Sequence, residues 1–376
     1  MSSSTSHRVR LTRVTIVSAI AAIVLTGCVQ SASVNNQGKD SSNAGSKKIA
    51  FLLPQTGVPR FERWDKPFFE KKIAELCSDC KVLYYNAQNE DAARQQQQAE
   101  AALADGAAVL VIAPVDGKAA KSIADKAAAK NVPVVSYERL TYGSNNVKAL
   151  TTHDAQAVGQ LQAASLSKEL KKRQDNRPVL MINGAPTSSD ANLFKKGAED
   201  GFAEAGVKVV DSFDTPGWDP AKAQAQMDQW ITKYGKDGFS AVYAANGGTA
   251  GGAIASMKAA GIDPKDHPVS GQDADLSEIQ RILEGIQFMT IFRPLKVEAD
   301  LAAEAAIALL EGKDLPAKFN AQMDNESGTP VPSAVLPVAA VDIGNIKETL
   351  IDSGYFTVEE ICTAQYAAMC AKAGLT

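Results

Sequence analysis

Histidine is almost missing from this chain: His7, His153 and His267 are the whole supply in 376 residues. Neither His153 nor His267 stands near a cysteine, so a Cys/His zinc site has no support, and no imidazole sits beside a candidate nucleophile. Apolar runs are short. The one near the amino terminus, "VTIVSAIAAIVL", has twelve residues, whereas a membrane-crossing helix needs about 20. A surplus of positive charge is lacking too, with 39 basic and 43 acidic residues and a formal charge of −4. A mildly acidic chain has no general attraction for nucleic acid.

What is present begins with a leader. "MSSSTSHRVRLTR" carries three arginines and no acid, the apolar run follows, and "LTGC" closes the segment at Leu25 to Cys28. Charged flank, short apolar core and small residues at a cleavage point make a secretory signal. A cysteine directly after Leu-Thr-Gly resembles the bacterial lipobox, in which the thiol is acylated and becomes the new amino terminus. The expectation is a lipoprotein signal peptide over residues 1–27 and a lipid on Cys28. The protein is then extracytoplasmic, tethered to the outer face of a membrane that it does not cross. Residues 28–46, rich in Ser, Asn and Gly, read as a flexible linker.

Five cysteines are present, four of them after Cys28. In an exported protein an even count favours disulfides. Cys77 and Cys80 follow a helix-like segment and precede a strand, whereas a redox pair of the Cys-x-x-Cys type opens a helix after a strand. Two local bridges are expected, Cys77–Cys80 and Cys362–Cys370, and no metal site.

From Lys48 onward, β-rich runs such as "KIAFLLP", "AAVLVIAP" and "VPVVSYE" alternate with alanine-rich stretches of helical period. Nearly continuous apolar strands separated by helices indicate a parallel sheet covered on both faces. The pattern restarts at "RPVLMING" and runs through "GVKVVDSFD", "FSAVYAAN" and "HPVSGQD". An α/β fold of two similar doubly wound lobes follows, in keeping with the about 330 residues beyond the linker. In such sheets ligands bind beyond the carboxyl ends of the strands. Those ends carry Arg, Asn, Asp, Glu, Trp and Gly: "PQTGVPRFERW", "YERL", "THD", "NGAPTSSDANLF", "DTPGWDP", "AANGGTAGG" and "GQDAD". Planar side chains with paired polar groups suit neighbouring hydroxyls, and a Trp ring suits the C–H face of a sugar. A glycosidase would need two carboxylates across one bond, with Glu138 and Asp273 the available pair.

Taken together, "RFERW", "YERL", Gly217–Trp218, "AANGGTAGGAI", "SGQDADLSEIQRI", "MTIFRP" and "GYFTVEEICTAQYAAMC" resemble the sugar-binding lipoproteins of bacterial ABC importers, D-xylose-binding and multiple-sugar-binding type. The resemblance runs from about residue 47 to the end. It implies a type I periplasmic binding protein, with two lobes joined by three hinge crossovers and closing on one monosaccharide. Residues 47–154 with 292–334 would form lobe I, and residues 155–291 with 335–376 lobe II. It implies sugar contacts at Arg63, Trp64, Glu138, Arg139, Asp190 or Asn192, Trp218, Asn246, Asp273 and Arg293. It further implies no catalysis, no cofactor, a monomer, and delivery of the sugar to a permease; sensors that signal to a membrane receptor share the fold. The chain departs from the family at Glu138 (usually Asp), Gly247 (usually Asp), Arg293 (usually Lys) and Ser188–Ala191, all at or beside expected contacts.

The glycines of "GGTAGG" invite comparison with phosphate loops. Gly247 and Gly252 have the Walker spacing, but Ala253 and Ile254 stand where Lys and Ser/Thr are required, and a dinucleotide fingerprint does not fit the register. They are expected to let the strand end approach a sugar and the following helix pack closely.

Overall fold

The computed structural model describes residues 47–375; the leader, Cys28 and the linker lie outside them. The amino-terminal half builds β1 (Lys48–Leu53), β2 (Lys81–Asn86), β3 (Ala107–Ile112), β4 (Val134–Tyr137) and β5 (Val147–His153). A second set comprises β6 (Val179–Asn183), β7 (Val209–Asp214), β8 (Ala241–Ala244) and β9 (Thr290–Phe292). The last strands are β10 (Ala321–Met323), β11 (Val331–Leu336) and β12 (Ala339–Val341).

β1 is buried along almost its whole length because it pairs on both sides, in parallel with β2 and β3. Its side chains alternate between two cores. Ile49, Phe51 and Leu53 face one, and Ala50 and Leu52 the other, as the period of two in a strand demands. β2 ends that edge and is mostly half-buried, with Leu83 alone fully covered. The complete sheet runs β10-β11-β5-β4-β3-β1-β2, parallel except for β10. The other lobe is smaller in strand count: β7-β6-β8 in parallel, and the antiparallel pair β12-β9. The stretch "HPVSGQD" reads as a strand but contributes only a bridge from Val269 to Val242. Beyond it the backbone turns to positive φ at Asp273 and Ala274, which no strand accommodates.

The chain passes between the seven-stranded sheet and the two smaller sheets three times: after His153, after Phe292, and between Leu336 and Ala339. Each crossing is punctuated by chemistry. Asp154 caps helix Ala155–Arg173 by accepting the Ala157 N–H, which fixes where β5 stops. Arg293-Pro294 separates β9 from helix Leu295–Leu310. Both expected disulfides are present, Cys77–Cys80 at the end of helix Lys66–Leu76 and Cys362–Cys370 in the carboxyl-terminal segment. With their sulfurs joined, Cys77 and Cys80 offer no thiolate to a metal.

Helices Ala155–Arg173 and Ser189–Glu204 pack at glycine. A Cβ on Gly159 would overlap the Phe194 carbonyl, and one on Gly197 the Gln156 carbonyl. Gly159→Ala should therefore destabilise by about 1–3 kcal/mol through overpacking. A lowered urea midpoint at unchanged slope is the expected result.

Candidate ligand site

A nearly closed cavity of about 20 Å³ lies where the strand ends of both sheets converge. That is room for about one water and far below the roughly 300–1,000 Å³ of ordinary small-molecule sites, so a ring enters only when the walls part. Val58, Arg60, Phe61, Glu138 and Arg139 wall it from the first lobe, and Ser188, Asp190, Phe194, Trp218, Asn246, Gln272, Asp273 and Arg293 from the second lobe and its crossing.

Glu138 and Arg139 stand just beyond β4 in a tight turn. The Glu138 N–H donates to Thr151 O at 2.7 Å and the Arg139 N–H to Tyr137 O at 2.6 Å. Glu138 has φ +61°, Trp218 +56° and Asp273 +96°. Positive φ at non-glycine residues carries strain of about 1–3 kcal/mol each and gathers at functional sites. Gly184 makes room for Trp218, since a Cβ there would overlap the indole. Asn246 caps helix Gly247–Ala259: its Oδ1 accepts the Thr249 N–H at 2.9 Å.

The charges are paired throughout. Arg60 donates from Nε to Asp65 at 2.9 Å and from Nη1 to Glu138 Oε1 at 3.0 Å. Arg293 donates from Nη1 to the same Glu138 oxygen at 3.1 Å and from Nη2 to Asp273 at 2.6 Å. Arg139 donates to Glu90 at 2.8 Å, and Gln55 donates to that same carboxylate. Each guanidinium thus has a carboxylate already, which leaves no cationic surplus for an anionic ligand. Four buried side-chain atoms on the cavity wall have no hydrogen-bond partner among the described residues: Glu138 Oε2, Asp190 Oδ2, Trp218 Nε1 and Arg293 Nε. Glu138 accepts, Trp218 and Arg293 donate, and Asp190 can do either according to its protonation, which matches hydroxyl groups, since each hydroxyl does both.

Burial alone would raise the Glu138 carboxyl, but Arg60, Arg293 and Arg139 outweigh it and hold the group at about 2. Asp190 is pushed up to about 7 by burial and by the Glu138 charge. His153, 3.5 Å from Asp190 and 3.1 Å from Arg293, is held well below its ordinary value by burial and by Arg293. It is a neutral packed ring.

Seven of the expected residues line the cavity: Glu138, Arg139, Asp190, Trp218, Asn246, Asp273 and Arg293. Three do not. Arg63 is exposed and pairs with Glu360, and Trp64 packs against Tyr355 and Phe356. Asn192 is exposed, donating to Pro186 O, while Asp190, two residues earlier on the same helix, faces in. The positions expected of Arg63 and Trp64 are taken by Arg60 and Phe61. The sequence repeats Arg-aromatic at a spacing of three, and a wide turn over Phe61–Asp65 decides which pair points inward. Asp65 was the available signal, an acid placed to hold a buried Arg60. Gly247 also differs from expectation. Its Cβ position is filled by the Glu278 carboxyl, and that of Gly252 by the Pro220 carbonyl, so these glycines serve helix packing rather than the cavity.

Paired lobes around a buried, charge-balanced polar cavity define a receptor for a small solute. A family model of the periplasmic binding protein domain matches residues 49–314. The D-xylose-binding periplasmic protein of Haemophilus influenzae is 35% identical over 327 residues, covering 85% of this chain and 94% of that protein. Its Escherichia coli counterpart is 33% identical, covering 80% and 89%. A solute-binding protein of an ABC transporter from Clostridium phytofermentans, solved with bound β-D-glucose, superposes with a TM-score of 0.74 at 28% identity, covering 84% of this chain and 99% of that one. The chain belongs to the periplasmic binding protein family, type I fold, whose members bind solutes and are not enzymes.

Asp190 and three further buried acids, Asp275 (about 7), Glu278 and Glu298 (about 8), are all raised, chiefly by burial. An acid kept neutral by folding holds its proton more tightly in the native state, so unfolding releases it. Stability then falls as pH rises from about 4, where the unfolded group ionises, to about 7–8, where the folded one does. Glu138, shifted the other way, contributes stability above its unfolded value that is lost as pH falls toward 2. The unliganded protein should be most stable near pH 4, and Asp190→Asn should flatten the decline from pH 4 to 7, as read by urea denaturation at each pH.

Proposed function

We propose that this protein captures a neutral monosaccharide, D-xylose or a related pentose or hexose, between its lobes and delivers it to the permease of an ABC transporter. The observation that carries the reading is the set of four unpaired atoms on Glu138, Asp190, Trp218 and Arg293, in a cavity that also holds the rings of Phe61, Phe194 and Trp218. Hydroxyls satisfy the first and a sugar's C–H face the second. The names of the two xylose-binding relatives and the glucose held by the Clostridium protein point the same way. A site built of such polar atoms rejects an analogue that lacks one hydroxyl, because a buried partner is then left unpaired.

The departures from the family bear on which sugar is held. Glu138 reaches both Arg60 and Arg293 through one oxygen, so the extra methylene joins the two guanidinium groups while its second oxygen faces the ligand. Arg293 in place of Lys supplies a planar fork that holds Glu138 and Asp273 together and keeps Nε for a hydroxyl.

Thermal shift against pentoses, hexoses, ketoses and sugar acids is the direct test. At about a hundred times Kd, one responding monosaccharide should add roughly 2.7 kcal/mol, and the sugar acids should give nothing. Trp218→Phe removes an indole N–H that has no protein partner, so binding should weaken about tenfold, or 1.4 kcal/mol, with the fold intact. Arg139→Ala is a poorer probe, since it strands buried Glu90 at a cost of about 3–5 kcal/mol in stability. Silence from every neutral sugar would overturn the proposal.

Among the described residues no helix is long and apolar enough to cross a membrane. In our reading the protein works as a monomer on the outer face of the cell membrane, held there by lipid on Cys28 and by the 28–46 linker. Cys28→Ser should abolish labelling by a radioactive fatty acid and release the protein to the soluble fraction; label retained on the variant would remove the anchor.

A further inference from the structure

The turn that places Arg60 and Phe61 in the cavity has a second face. Phe61–Asp65 packs on helices Lys66–Leu76 and Leu295–Leu310 of the first lobe. From its end, Asp65 reaches back to Arg60 Nε at 2.9 Å. Arg63 and Trp64 face the other way, toward the carboxyl-terminal segment of the second lobe. Arg63 Nη2 donates to Glu360 Oε1 at 2.9 Å. The Trp64 ring lies 5.2 Å from Tyr355 and 5.9 Å from Phe356, packed on a second-lobe core that includes Ile279, Leu350 and Phe356. The Arg63 guanidinium sits 4.7 Å from the Trp64 ring and 5.3 Å from the Phe356 ring.

The receiving surface is already organised. Glu360 belongs to a capping box in which its Oε2 accepts the Thr357 N–H at 2.8 Å, and Thr357 Oγ1 accepts the Glu360 N–H at 3.2 Å. Oε1 is left for Arg63. Two residues on, the Cys362–Cys370 bridge ties the segment to itself. The carboxylate therefore needs little ordering when a guanidinium arrives, unlike an ordinary pair of free surface chains.

We infer that Arg63 and Trp64 are positioning residues of the binding reaction: a latch between the lobes that seats Arg60 and Phe61 in the cavity without touching the ligand. The inference rests on the proposed capture of a sugar between lobes. A five-residue turn has no slack, so its two faces move together. Contacts made only when the lobes meet favour the closed population, and ligand affinity gains by that shift. The pair is over a third exposed on each side, so the latch is weak alone. A weak latch biases closure without shutting the empty protein.

Calorimetric titration and stopped-flow dissociation of the exported protein with D-xylose and with D-glucose test this. Arg63→Met keeps the stem over Trp64 and removes the charge; Glu360→Gln removes the opposite charge; the double variant completes the cycle. Each single change, and Trp64→Ala, should raise Kd about three- to tenfold, mainly through faster release. The double variant should be no weaker than the singles, and the xylose-to-glucose preference should stay constant. A role confined to folding would lower Tm and leave Kd alone, and additive effects in the cycle would break the pair as a unit; either result overturns the latch. A ligand-free arm uses spin labels at Lys130→Cys and Lys236→Cys, one on each lobe. Trp64→Ala should shift the distance distribution to longer values, and an unchanged distribution refutes the latch. Should the parent protein bind neither sugar, the sugar reading fails on these probes while the distance arm still decides the latch.

Discussion

One carboxylate oxygen, Glu138 Oε1, holds the site together. It accepts from Arg60 of the first lobe and from Arg293 at the crossing into the second. A buried guanidinium without a partner is among the most expensive things a protein can contain, and a shared carboxylate removes two such liabilities at once. Much else follows from that need. Positive φ at Glu138 aims the side chain between the two arginines. Asp65 and Asp273 complete the pairs from opposite sides. His153 packs beside Arg293 as a neutral ring, because a third cation there would have no answering charge.

The same balance bears on the character of the proposed ligand. A receptor for an anionic solute keeps a guanidinium unmatched until the solute arrives. Here all three are matched in advance, and what remains open is a mixture of donors and acceptors on an apolar wall. That pattern favours recognition by hydroxyl geometry over attraction by charge. It also distances the cavity from nucleic acid, nucleotide and sugar-acid chemistry without recourse to any relative.

The frame was legible in the sequence because short, Val/Ile-rich apolar runs such as "AAVLVI" suit buried strands, and the longer alanine-rich stretches between them suit covering helices. Glu138, Arg139, Trp218, Asn246 and Asp273 were legible for a related reason: each lies just past a run that reads as a strand, where the topology leaves a crevice; Arg293 came from the family resemblance. Arg60 and Phe61 were not. A turn can present either of two Arg-aromatic pairs, and the choice is made by Asp65 and Glu298, the second of them more than two hundred residues away. Asn192 and Asp190 differ only in helix phase, which composition does not reveal. The second sheet fell short of expectation for a local reason, the strained backbone at Asp273 and Ala274, which serves the cavity at the expense of the strand.

Asn246 carries a further consequence. A terminal amide ordinarily reads a hydroxyl in either sense, because it can turn over and exchange oxygen for nitrogen. In this protein the oxygen is held by Thr249 through both its N–H and its hydroxyl, so only the nitrogen is left to the cavity. Under the proposed function, a ligand hydroxyl at that corner would meet a donor and not an acceptor. A capping interaction that starts a helix would thereby also set the polarity of one ligand contact.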